Sequence, residues 1–172
     1  MTSKLKTDVL ETVSGSGTIA LTNQLTGMTS ASVPAGSVIQ VISATNTNTA
    51  AGGFLLTTTS SSYVSVPLAV SITPSSTSSK IMILVNTATY RAATGYLTLY
   101  RGSTNISGTN GLANPSGSSS SRHEPVSISY LDSPNTASSV QYTLYARTAS
   151  GTLYVGGDGD LINSITVIEI KG

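Results

Sequence analysis

YLDSPNTASSVQYTLYAR, residues 130 to 147, sets a polar turn directly ahead of a run of regular alternation. In the run, Val140, Tyr142, Leu144 and Ala146 fall on one side, and Gln141, Thr143, Tyr145 and Arg147 on the other. A period of two with a single apolar row marks a strand whose sheet has one face on a core and the other toward water. In the turn, Asp132, Ser133 and Asn135 are residue types that bond their own backbone, and Pro134 fixes φ. SPN therefore reads as a reversal between two strands rather than as a place where chemistry happens.

Working outward, the same signals recur at close spacing from Val38 onward. Strands are expected at VIQVISAT (38–45), FLLTTTS (54–60), YVSVPLAVSI (63–72), KIMILVNTATY (80–90), GYLTLYR (95–101), TNISG (104–108), EPVSISYL (124–131), SSVQYTLYART (138–148), TLYVG (152–156) and LINSITVIEIK (161–171). Pro67 removes a ladder donor, which predicts a bulge or an edge at that strand. Gly102-Ser103 fits a two-residue hairpin. IMILV is apolar on both sides, as in a central strand covered on both faces or in one whose outer face meets another subunit. The longest break runs from Thr109 to Ser121.

Composition agrees with strands. Only 9% of residues are charged, against about 25% in ordinary soluble proteins, so there is little Glu, Lys or Arg to dress helix surfaces. A hydrophobic content of 38% supplies enough apolar area for an ordered core. No repeat of fixed period appears, which disfavours a propeller or solenoid. The fold class is all-β: an antiparallel β-sandwich, with a jelly roll as the expected arrangement, spanning 38–172 behind an extended N-terminal arm, 1–37.

The arm has few apolar residues, among them Leu5, Val9, Leu10 and Leu25, and cannot bury them in itself. They are the candidate anchoring contacts, to its own domain or to a neighbour. Charges run through the first residues, where a signal peptide would need an apolar stretch, and no run approaches 18 apolar residues, so neither export nor membrane insertion is expected. The eight basic residues are scattered, which argues against nucleic acid. A net charge of +1 leaves copies free to associate. With no cysteine, packing alone holds the fold.

Candidate chemistry is sparse. His123 stands between Arg122 and Glu124 after a serine run, but adjacent residues of an extended chain point to opposite sides, and a triad needs convergence from separate elements. A solvated loop end is the simpler account. GGDGD (156–160) places Asp158 and Asp160 beside glycines as weak metal candidates, yet it is one imperfect copy of a calcium-binding repeat, and a glycine hairpin turn explains it without metal. No cofactor or metal is expected. Seven acidic residues leave a glycosidase pair formally open, with nothing to single one out. The eight tyrosines lie on or beside strands; outward ones such as Tyr145 can stack on sugar rings. His123, Tyr145 and Arg147 are the candidate surface contacts.

Four stretches, LKTDVLETVSGSG, LTGMTSASVPAGSVIQV (25–41), YVSVPLAVSITPSSTSSKIMILV (63–85) and YLDSPNTASSVQYTLYAR with SITVIEIKG (164–172), together resemble virion structural and tail-fibre-like proteins of tailed bacteriophages, marine ones in particular. The resemblance covers almost the whole chain and rests on the order and spacing of these stretches. It implies a non-enzymatic β-sandwich head displayed on the virion, commonly as a homotrimer, with the N-terminal segment attaching it to capsid or tail proteins. A chain of 172 residues has no room for a shaft, so a short knob or capsid decoration is expected as much as a fibre tip. The alternatives are an adhesin for host surface glycan and a polysaccharide-degrading tailspike-type enzyme. With no signal peptide legible, synthesis in the host cytoplasm and residence in the virion are the expectation.

Overall fold

The structure, a computed structural model, describes residues 33–47, 53–90, 94–115, 123–157 and 161–172. Among them the chain forms β1 (Val38–Thr47), β2 (Leu56–Thr58), β3 (Val64–Ile72), β4 (Lys80–Tyr90), β5 (Gly95–Arg101), β6 (Thr104–Asn105), β7 (His123–Asp132), β8 (Val140–Thr148), β9 (Leu153–Val155) and β10 (Ile162–Ile170). All pairings are antiparallel. The described residues thus form an all-β sandwich of two sheets.

In the first sheet β1 pairs with β10, β10 with β4, and β4 with β7 on its other side, while β9 joins the end of β4 and carries β2. The second sheet runs β3, β8, β5, β6. Pro67 sits on the edge strand β3, and the register with β8 shifts between Ser65 and Ala69. The missing amide therefore produces both of the expected effects. Gly102, at φ 57°, turns β5 into β6. β2 and β6 are shorter than their sequence runs. In the latter, Asn105 Oδ1 accepts the Ser107 amide at 3.1 Å, a local bond that bends the chain out of the ladder.

Alternation does what it predicts in β8: Tyr142, Leu144 and Ala146 are fully buried. They meet Leu97 and Leu99 of β5, Val66, Leu68, Val70 and Ile72 of β3, and Ile81, Ile83, Val85, Ile165 and Val167 of the first sheet in one core. Burying each aliphatic side chain contributes about 1.5–3 kcal/mol. IMILV resolves into two rows. Ile81, Ile83 and Val85 point inward, and Met82 and Leu84 outward, half-buried. The register aligns Val41, Ile168, Met82 and Leu131 straight across four strands on the outer face, with Val41 59% and Leu131 45% exposed.

The register also gives the sandwich two poles. At one, Gly36 donates its amide to Lys171 O (2.7 Å) and Lys171 donates to Ser37 O (2.9 Å), so the N-terminal approach and the C-terminal end lie side by side. The 73–79 loop, the β5–β6 hairpin and the 133–139 turn share this pole. The starts of β3, β5, β7 and β10 and the ends of β1, β4 and β8 lie at the other.

Two carboxylates fasten the first pole. Glu169 is fully buried and accepts from Ser75 N (2.7 Å), Ser75 Oγ (2.6 Å), Ser79 Oγ (2.6 Å) and Gln40 Nε2 (2.6 Å), pinning the serine-rich loop to the sheet. Burial pushes its carboxyl up, but these donors together outweigh burial and hold it below its ordinary value. Asp132 departs from its expected part in the turn. Instead of bonding its own backbone, its carboxylate takes Arg101 Nη1 (2.8 Å) and the Tyr142 hydroxyl (2.7 Å). Asn135 carries the reversal with φ 53°.

Candidate functional site

On the outward side of β5 and β8, Tyr96 and Tyr100 face Tyr145 and Arg147 because alternation leaves the polar members of both strands pointing away from the core. Tyr96 is the cross-strand partner of Arg147, and the guanidinium lies 3.9 Å from the centre of its ring. Tyr145 and Tyr100 sit on the diagonal and stack at 3.9 Å with a 22° tilt. Tyr63, just ahead of β3, brings its ring within 5.2 Å of the same guanidinium and meets Tyr100 edge-on at 6.2 Å. A cation held between aromatic faces contributes about 0.5–2 kcal/mol and fixes where the charge sits.

A loop closes one side of this cluster. Thr109 O accepts both the Tyr63 hydroxyl (3.2 Å) and Arg147 Nη2 (3.3 Å). Asn105 Oδ1 accepts from Thr98 Oγ1 at 2.9 Å, Ser107 Oγ contacts Thr98 Oγ1, and Asn105 Nδ2 donates to Gly108 O at 3.0 Å. Gly111, at φ 71°, lets the loop approach Leu97 so closely that a Cβ there would meet Leu97 O at 2.3 Å and Tyr63 Oη at 2.8 Å. Between loop and strands lies a depression of about 470 Å³ lined by Ser61, Ser62, Tyr63, Asn105, Thr109 and Arg147. Among the described residues the one salt bridge is Arg101 with Asp132, so Arg147 has no carboxylate partner there.

Tyr145 and Arg147 are therefore brought together, and His123 is not with them. His123 is exposed at the first residue of β7, on the opposite sheet, with its ring 4.7 Å from Tyr90. Phe54 packs at 4.8 Å from Tyr154 and 5.5 Å from Tyr90, making a second aromatic cluster with His123. Leu5, Val9, Leu10 and Leu25, as well as Asp158 and Asp160, lie outside the described residues. Gly156 and Gly157 beside those aspartates take φ of 108° and 68°. Among the described residues no three His, Asp or Glu side chains group as metal ligands would.

Tyr63, Tyr96 and the depression's polar rim were not singled out by sequence. The available signal was the pairing of two strands whose outward positions are both tyrosine-rich, GYLTLY and QYTLYAR.

No family model matches the chain, and no curated protein is significantly similar to it.

Proposed function

We propose that this chain is a non-enzymatic structural protein of a tailed-phage particle, displayed at the surface as a capsid decoration or short knob and held by its N-terminal arm through Leu5, Val9, Leu10 and Leu25. The observation that carries this reading is polarity. The arm joins the sandwich at the pole of Gly36 and Lys171, while Tyr63, Tyr96 and Arg147 lie toward the opposite pole, beside a depression that reaches along the outer face to Asn105. A domain tethered at one end offers the other to the surroundings.

The strand order supports the same reading. With β2 and β9 set aside, the sheets run first, tenth, fourth, seventh and third, eighth, fifth, sixth, which we read as jelly-roll connectivity, an architecture used by viral capsid and lectin domains. Self-association, trimeric by the resemblance, would use the outer face of the first sheet. Four strands about 4.8 Å apart and about nine residues long present about 600 Å² in projection, and more along the side-chain contour, close to the ~800 Å² per partner of a stable interface. Apart from Lys80 its strands point only uncharged or apolar side chains and His123 outward.

Antibody against the sandwich should label intact particles that carry the chain. Deleting residues 2–30 should leave a folded domain that no longer joins them; full incorporation of the truncated chain overturns the anchoring.

A second reading, adhesion to host surface glycan, is favoured by the tyrosine cluster, whose rings can stack on the C–H faces of sugars. A glycan array is its test.

A further inference from the structure

Resting on the adhesin reading, we infer that the depression beside Arg147 recognises an acidic sugar residue, a uronate, within a surface glycan. The guanidinium is the feature that selects charge. It is held in place by two tyrosine rings and the Thr109 carbonyl, which uses one of its N–H groups, and the other N–H groups have no carboxylate to meet among the described residues. A flat fork of donors, already positioned, matches the two oxygens of a carboxylate.

The rest of the depression fits a sugar ring. Tyr63 supplies an aromatic wall, and the exposed Ser61 and Ser62 supply groups that can exchange hydrogen bonds with ring hydroxyls. Asn105 is satisfied by Thr98, Ser107 and Gly108, so it shapes the floor. A volume of about 470 Å³ suits one or two sugar units. Position adds a reason: Arg147 and Tyr63 lie at the pole away from the tether, where a glycan of the surroundings can reach them.

The full-length protein is first applied to a glycan array, then titrated with short oligogalacturonate and with the same oligomer methyl-esterified, which masks the acid without changing the ring. Retention should concentrate on uronate-bearing glycans, and esterification or Arg147→Gln should weaken binding about ten-fold or more, the loss of a charge-assisted contact. Arg147→Lys, which keeps charge but loses the flat fork, should fall between. Should Arg147→Gln fail to fold, the ester comparison on the unaltered protein still decides. Equal affinity for acid and ester, unchanged acid binding in Arg147→Gln, or retention of sulfated glycans in place of uronates overturns this assignment while leaving adhesion standing. Retention of no glycan at all removes both.

Discussion

The hydroxyl of Tyr142, on the inner face of one sheet, donates to Asp132 Oδ2 at 2.7 Å at the end of the other. Arg101 completes the contact from the next strand, so a single carboxylate ties the two layers together. Burial, then the bond to Asp132, pushes the Tyr142 phenol far above its ordinary value, so it remains a protonated donor at neutral pH. Tyr142→Phe should cost about 1–3 kcal/mol by urea unfolding. Asp132→Ala, which strands a partly buried guanidinium, should cost about 3–5 kcal/mol. In a double-mutant cycle the two losses should fall short of adding; strict additivity would mean that the residues do not interact.

Glu169 makes stability depend on acid. Its carboxyl is held below the ordinary value of 4.5, so its contribution is fully present above that value and is lost as pH falls through the lower folded-state value. Glu169→Gln turns an amide donor toward Gln40 or the serines and should cost about 1–3 kcal/mol at pH 7. The gap between the two proteins should narrow steadily below pH 4.5. A gap that stays constant to pH 3 would show that the carboxylate charge is not what the serines hold.

Asn135 tests the turn between β7 and β8. At φ 53° it occupies backbone space that glycine enters freely and alanine does not. Asn135→Gly should leave the melting temperature nearly unchanged, and Asn135→Ala should cost about 1 kcal/mol. The reverse order would contradict the left-handed conformation.

Gly111 reaches the depression without lining it. A methyl group there presses on Leu97 O and on the Tyr63 hydroxyl, so Gly111→Ala should lower glycan retention and cost about 1–3 kcal/mol of stability. Wild-type retention together with wild-type stability would mean the loop is free to move aside.

The apolar row across the first sheet predicts an assembly. Val41→Lys combined with Leu131→Lys places two cations at its ends and should lower the mass measured by sedimentation, with the melting profile of the sandwich retained. An unaltered protein that sediments as a monomer at tens of micromolar would remove the role given to this face.

Strand positions were legible because alternation is a local property, written residue by residue: β4 and β5 occupy the predicted spans, and β8 buries Tyr142, Leu144 and Ala146 as their spacing dictates. Pro67 could be read for the same reason, since the effect of a missing amide does not depend on distant partners. Asp132 and Glu169 could not. Arg101 and Ser75 lie 31 and 94 residues away, and although Tyr142 is only 10 residues from Asp132, nothing in the sequence announces that its hydroxyl turns back to that carboxylate. The candidate site falls between these cases. Tyr145 and Arg147 are visible as outward residues of one strand, but their meeting with Tyr63 and Tyr96 depends on which strands lie beside β8. His123 was grouped with them only because sequence does not say which sheet a strand joins.

The pairing of Gly36 and Ser37 with Lys171 has a practical consequence. A peptide appended after Gly172 emerges beside Gly36 and against Ser78, so an added tag would crowd the entry to β1. An insertion meant to stay clear of both belongs at the other pole, close to Leu161, where β4 ends and β10 begins. The segment entering β1 and the segment leaving β10 thus share one pole of the described sandwich, and an addition at either crowds the other.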